Sequence, residues 1–262
     1  MSNNPVGIFD SGVGGTSIWK EIQKLLPNED TIYLADSKNA PYGEKPAEGI
    51  LRLSIKNTEF LLDKGCKLIV VACNTATTNA IDFLRDRYTV PFIGIEPAIK
   101  PAALQSKSHT VGILATRGTL SSRLFYSTSQ MHAKGIKIIE REGVGLVPLI
   151  ESGKVDSKET RDLLKAYLKP MLDEGMDYLV LGCTHYPYLV PVLKEMLPHN
   201  VEIIDSGEAV ARQTKAVLEQ KELLNASGNR GKYYFYTNVD PKILEYFLEP
   251  YSASYTIEQL DF

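Results

Sequence analysis

Cysteine is scarce in this chain. The 262 residues include three, an odd number too small for a disulfide framework. Each thiol therefore has to be explained by packing or by chemistry. An excess of one charge is also missing. Twenty-nine Lys and Arg stand against 32 Asp and Glu, for a formal net charge of -3. With no basic run, that balance argues against a nucleic-acid partner. No apolar run approaches the roughly 20 residues that span a bilayer. The opening Met1-Ser2-Asn3-Asn4-Pro5 has neither the basic region nor the apolar stretch of a secretory signal, so the expected location is cytoplasmic. No segment is of low complexity. At 44% hydrophobic and 23% charged, the composition is that of a soluble globular protein, with length enough for one large or two ordinary domains.

What is present is a rhythm of short runs rich in Val, Ile and Leu, at residues 6–9, 32–34, 68–72, 92–95, 111–114, 136–139, 178–181 and 201–204. Continuous apolar runs of this length suit strands buried on both faces of a parallel sheet. Helical patterns lie between them. Leu163, Leu164, Tyr167, Leu168, Met171 and Leu172 form one apolar stripe, and Gly175 follows as a stop signal. The alternation predicts an α/β fold. Residues 225–231 read as a loop.

The strongest signal is an internal repeat. At an offset of 110, Asp63-Lys64-Gly65 meets Asp173-Glu174-Gly175, and the run ending in Cys73 meets the run ending in Cys183. At an offset of 105, Val6-Gly7-Ile8-Phe9 meets Val111-Gly112-Ile113-Leu114. Two α/β units of similar plan thus follow one another, and each closes one strand with a cysteine.

Open α/β sheets bind ligands at the carboxyl ends of their strands. Cys73 and Cys183 each precede a polar dipeptide, Asn74-Thr75 or Thr184-His185, with helices expected from about Ala76 and Pro187. A thiol before a helix N-terminus is made more acidic by the helix dipole. If the two units face each other with rough two-fold symmetry, both thiols enter one cleft. Inverting a stereocentre needs a base on one face and an acid on the other, with the roles exchanged by direction. Cysteine serves, because its ordinary pKa of about 8.5 can be tuned towards neutrality. Backbone N–H groups and hydroxyls near Ser11, Asn74, Thr75 and Thr184 can support the carbanion.

Other residues read more plainly. Cys66, between Gly65 and Lys67, is expected to be a packing residue, and Met176 is its counterpart in the repeat. His109, His132 and His199 receive no role. His185 differs, because it stands two residues from Cys183 and can stabilise a thiolate. Gly12-Val13-Gly14-Gly15 fails the dinucleotide fingerprint at Ser17. It reads as a strand-to-helix turn whose N–H groups can cradle a carboxylate. Cys66, Cys73, Cys183 and His185 lack the paired spacing of a zinc site, so no metal is expected.

Four motifs together carry a resemblance. Asp10-Ser11-Gly12-Val13-Gly14-Gly15, Pro41-Tyr42-Gly43, Ala72-Cys73-Asn74-Thr75-Ala76 and Gly182-Cys183-Thr184-His185-Tyr186-Pro187 resemble the signature set of the aspartate/glutamate racemase family. The likeness to its glutamate racemases runs over nearly the whole chain. The resemblance implies two α/β domains, 1–97 with 207–262 and 98–206, related by a pseudo-two-fold axis with the active site between them. It implies a homodimer and a two-base mechanism without pyridoxal phosphate or another cofactor, making D-glutamate for peptidoglycan. By the same resemblance, Cys73 takes the proton from D-glutamate and Cys183 from L-glutamate. Asp10 and His185 assist them in turn, and Glu151 is a further acidic position. Asp10, Ser11, Pro41, Tyr42, Gly43, Asn74, Thr75, Thr184 and His185 hold the substrate. Aspartate or hydantoin racemisation, a Cys183–His185 hydrolase and a non-catalytic amino-acid binding module are the competing readings.

Overall fold

In a computed structural model of the chain, which describes residues 2–132, 135–249, 251 and 255–262, the apolar runs become strands of two parallel sheets. The strands are β1 (Val6–Asp10), β2 (Thr31–Ala35), β3 (Leu68–Val71), β4 (Phe92–Gly94), β5 (Thr110–Ala115), β6 (Lys137–Glu142), β7 (Tyr178–Gly182), β8 (Glu202–Ile204), β9 (Tyr233–Thr237) and β10 (Tyr255–Gln259). One sheet runs β10-β9-β2-β1-β3-β4 and the other β6-β5-β7-β8. Every neighbouring pair is parallel, so each connection crosses over, mostly through a helix. The protein is thus two α/β domains, each with a parallel sheet.

Two strands have no counterpart among the Val/Ile/Leu runs. β9 is Tyr-Tyr-Phe-Tyr-Thr, an aromatic strand. Its Tyr233 and Phe235 pack edge-on against the buried Trp19 ring, at centroid distances of 5.4 and 4.8 Å. β10 is an edge strand with one wet face. Tyr255 and Ile257 are half-buried while Thr256 and Glu258 are exposed, a short alternation that a search for continuous apolar runs misses.

The repeat is visible as geometry. The order β2-β1-β3-β4 matches β6-β5-β7-β8. The register agrees too, since β1 pairs Val6 with Leu68 and β5 pairs their counterparts Val111 and Tyr178. Gly65 (φ 77°) and Gly175 (φ 76°) end the helices Ala47–Asp63 and Lys158–Asp173, where a left-handed residue closes the last turn. Cys66 packs over Gly7, and Met176 packs over Gly112. Burial pushes the Cys66 thiol up to about 12, as suits a packing residue. Ser206 Oγ donates to the Glu96 carbonyl. These two residues are 110 apart, so they are counterparts that touch. Contact between counterparts places them beside the pseudo-two-fold axis, where the chain crosses between the sheets.

In both domains two neighbouring strands lead the chain to opposite sides: β1 to β2 but β3 to β4, and β5 to β6 but β7 to β8. That switch point opens a crevice at the carboxyl ends of the strands. Among the described residues, no helix is long and apolar enough to cross a membrane.

A buried ion pair anchors β3 away from this crevice. Lys67 Nζ lies 2.6 Å from Glu29 Oε2, and both side chains are almost wholly buried. Lys67 also donates to the Ser2 carbonyl, and Glu29 Oε1 accepts the Asn225 N–H. Lys67→Met would leave a buried carboxylate without its cation. A loss of ~3 kcal/mol is expected, read as a lower urea midpoint at unchanged slope. A variant as stable as the parent would contradict this.

Candidate active site

The ends of β1, β3, β5 and β7 and one loop meet at the crevice. Beyond β1 comes Ser11, beyond β3 come Cys73, Asn74 and Thr75, and beyond β7 come Cys183, Thr184 and His185. All of these line one small cavity together with Pro41, Tyr42 and Gly43. Asp10 and Glu151 stand behind its wall. Thr116 and Val147 complete the lining without having been singled out in the sequence. Thr116 was legible in principle, because the offset of 105 that relates β1 to β5 makes it the counterpart of Ser11. Val147 is apolar and carries no such signal.

Cys73 is the N-cap of the helix Asn74–Arg87, which begins two residues earlier than its pattern suggests. The residue is extended (φ -131°, ψ 119°), and its sulfur accepts the Ala76 N–H at 3.4 Å. The Ser11 hydroxyl lies 3.8 Å away. The expectation that the helix N-terminus makes this thiol more acidic is corrected. Burial and then the Asp10 charge push Cys73 well above the usual thiol range, outweighing the Ala76 N–H, with the nearby Cys183 adding to the rise.

The turn after Cys183 also departs from expectation. Instead of an α-helix from Pro187, a 3₁₀ turn spans Tyr186–Leu189 and the α-helix Val190–Met196 follows. Pro187 and Pro191 lack the N–H groups that a continuous α-helix would use. The shorter turn leaves His185 beside Cys183, with Nδ1 3.7 Å from Sγ. The other ring nitrogen, Nε2, stands 2.5 Å from Glu151 Oε1. Burial alone would lower the His185 pKa. Hydrogen bonds and charge from Cys183 and Glu151 outweigh it and hold the imidazole well above its usual range. An imidazolium fits both contacts, donating Nε2–H to Glu151 and facing the sulfur with Nδ1–H. The Gly14 N–H, 3.3 Å from Nε2, is then a packing contact, because that nitrogen has no lone pair left. Glu151 is held by the Val13 N–H at 2.8 Å and the Ser37 hydroxyl at 3.2 Å.

Asp10 is fully buried. It accepts the N–H groups of Gly15 (2.9 Å) and Gly12 (3.2 Å) and the Thr184 hydroxyl (3.2 Å). Burial raises its pKa, against the pull of His185 and Gly15. The N–H groups of Gly12, Val13 and Gly15 are therefore spent on two of the protein's own carboxylates, Asp10 and Glu151. A Cβ on Gly12 would stand 1.9 Å from Glu151 Oε1, and one on Gly14 would stand 2.3 Å from His185 Nδ1. These glycines are required by the approach of the second domain.

The cavity wall holds polar groups suited to an amino acid. Both side-chain polar atoms of Asn74 are buried without a partner among the described residues. A donor and an acceptor left free at a cavity wall are disposed to bind a ligand. The Thr75 hydroxyl meets that of Thr116 at 2.8 Å, and Thr116 meets Thr119 at 3.1 Å. The Tyr42 hydroxyl is already taken. It donates to Asp36 Oδ2 at 2.5 Å, so Tyr42 reaches the cavity with its ring and backbone. The arrangement offers two sulfurs, an acid–imidazole pair behind one of them, and neutral donors around a space for a carboxylate. Among the described residues, no three His, Cys, Asp or Glu side chains stand together as a metal site.

The coupling between Asp10 and Cys73 has a sign that can be tested. Asp10→Asn keeps acceptors for the turn and removes a negative neighbour of the sulfur. Cys73 alkylation by iodoacetamide, mapped by mass spectrometry, is expected to begin at lower pH than in the parent. An unchanged or higher onset would contradict the assigned cause.

Comparison with known proteins agrees with this geometry. A family model described as Asp/Glu/Hydantoin racemase matches residues 14–214. A glutamate racemase of Herpetosiphon aurantiacus is 44% identical, over 92% of this chain and 95% of its own. A crystal structure of a glutamate racemase isoform from Bacillus anthracis superposes with a TM-score of 0.88 at 29% identity, covering 100% of this chain and 99% of the other. The glutamate racemase of Francisella tularensis in complex with D-glutamate gives 0.85 at 30% identity, covering 100% and 98%. With the family model spanning most of its length and thiols at both strand ends, the chain belongs to the Asp/Glu/hydantoin racemase family.

Proposed function

We propose that this protein is a glutamate racemase, interconverting L- and D-glutamate by moving the Cα proton between Cys73 and Cys183. One observation carries the reading. Two thiols that are counterparts in the repeat, one from each domain, line a single cavity. The relatives and structural neighbours named above are glutamate racemases, and one neighbour was solved with D-glutamate.

In this mechanism a thiolate removes the α-proton from one face while the opposite thiol delivers a proton to the other. One sulfur gains a proton and the other loses one, so the enzyme ends in the form that starts the reverse reaction. Burial and Asp10 favour the neutral thiol at Cys73, and the His185 imidazole, held by Glu151, stands beside Cys183. The resemblance assigns the proton of L-glutamate to Cys183 and that of D-glutamate to Cys73. Asp10 supports Cys73, and the Glu151–His185 pair supports Cys183. Ser11, Asn74, Thr75, Thr184 and the Pro41-Tyr42-Gly43 wall hold the substrate. The carbanion is stabilised by neutral N–H and O–H donors. The product is D-glutamate for peptidoglycan.

The open space at the centre of the cavity is about 10 Å³, roughly that of one water, so the lining has to rearrange to admit glutamate. The domains are 1–97 with 207–262 and 98–206. Sheet membership and the Ser206–Glu96 contact at the crossing support those limits. A homodimer rests on the family resemblance.

The Cys183–His185 pair alone would also suit a hydrolase nucleophile and base, but that reading leaves Cys73 idle. Chiral chromatography after incubation with L-glutamate, L-aspartate or a hydantoin separates the readings. Glutamate is expected to racemise fastest, without added cofactor. Cys73→Ala and Cys183→Ala are each expected to abolish racemisation. An inert parent, a preference for another substrate, or a Cys73→Ala variant with full activity would overturn the proposal.

A further inference from the structure

Asp36 follows β2 and is fully buried, yet it does not line the cavity. Its carboxylate is surrounded by donors from several parts of the chain. Oδ2 accepts the Tyr42 hydroxyl at 2.5 Å. Oδ1 accepts the Asn39 amide at 2.8 Å and the Asn238 amide at 2.5 Å, and Lys56 Nζ lies 3.5 Å away. Its own N–H donates to the Asp10 carbonyl at 3.1 Å. Asn57 holds the Tyr42 oxygen from the other side at 3.1 Å. Asn238, just beyond β9, completes a clip by accepting the Lys38 N–H at 2.8 Å.

Burying a carboxylate is unfavourable unless its oxygens are satisfied, and well-packed apolar residues often hold a loop at least as well. What a charged acceptor adds is direction. A charge-assisted O–H···O⁻ bond is short and strong, and it fixes the donor's position. Here the donor is the side chain at the centre of Pro41-Tyr42-Gly43, the wall that closes the cavity. That wall has little slack. A Cβ on Gly43 would stand 2.8 Å from Thr116 Cβ, and one on Gly118 would stand 3.3 Å from Gly43 Cα. The wall thus meets the second domain in close contact at Thr116 and Gly118, where a shift of the wall is passed to the residues that line the cavity.

We infer that Asp36 is a positioning residue for racemisation, acting through the Tyr42 hydroxyl to set the 41–43 wall against Thr116 and the two thiols. Asn238 ties that setting to the last part of the chain. This rests on the two-thiol racemase reading. It adds a buried carboxylate that never touches substrate and whose removal should spare the thiols themselves.

The test is a double-mutant cycle on purified protein with glutamate as substrate. Asp36→Asn cannot serve every contact. If its oxygen faces Tyr42, its NH₂ opposes the Asn39, Asn238 and Lys56 donors. If it is flipped, Tyr42 loses its acceptor. Asp36→Asn and Tyr42→Phe are each expected to lower kcat/KM about tenfold, the usual scale for a lost charged hydrogen bond. The double variant should be no worse than either single one, because both break the same link. The pH onset of Cys73 and Cys183 alkylation should stay at its parental value, which a general loss of folding or a direct charge effect on the thiols would not allow. Should Asp36→Asn fail to fold, Tyr42→Phe and Asn238→Ala are each expected to lower kcat/KM, and parental values in both would overturn the inference. Parental activity in folded Asp36→Asn, multiplying losses in the double variant, or a shifted alkylation onset would overturn it too. An active parent with unaffected variants rejects this inference alone, whereas an inert parent rejects the racemase reading and this inference with it.

Discussion

The contact on which the site depends is the seating of the His185–Glu151 pair on the glycine turn after β1. Glu151 Oε1 accepts the Val13 N–H, and the imidazole lies on Gly14 where a methyl group would collide. The Thr184 hydroxyl reaches Asp10 and the Ser17 hydroxyl reaches the Thr184 carbonyl across the same seam. One surface therefore fixes how far the second domain comes forward, and that distance places Cys183 in the cavity that Cys73 already faces. Buried polar groups make the seam demanding, because each donor and acceptor has to find its partner.

A repeated scaffold would by itself give two equivalent thiols. The surroundings make them unequal. Cys73 caps a helix, but it sits in a buried place beside a carboxylate, so the neutral thiol is favoured. Cys183 has no helix directly after it and instead meets an imidazole held by a second carboxylate. A reaction that runs both ways needs both protonation patterns within reach. The wall at 41–43 is a third element, held from behind by Asp36 and resting on the second domain at Thr116.

Much of this was legible because burial on both faces of a parallel strand leaves a continuous apolar run, and because repetition marks counterparts. Eight strands, the pairing of Cys73 with Cys183 and the packing role of Cys66 follow from those two signals. β9 and β10 escaped because one is built of aromatics and the other is half-wet. Thr116 was visible only to a reader who carried the offset of 105 one residue past the end of β1. The acidity of Cys73 was misjudged for a physical reason. A helix start is a local feature that sequence displays, whereas burial and the Asp10 charge are set by the tertiary fold. The Tyr42 hydroxyl shows the same limit, since nothing in Pro41-Tyr42-Gly43 reveals that Asp36 has already engaged it.

The central claim is that two different groups serve the two faces of one carbon. Its most direct test follows solvent deuterium at the earliest stage of turnover, starting separately from L- and from D-glutamate in D₂O. Two thiols acting from opposite faces put deuterium at Cα of the product while recovered starting material stays unlabelled, in both directions. Equal labelling of product and recovered starting material would mean that one group exchanges its proton with both faces, and would contradict the account.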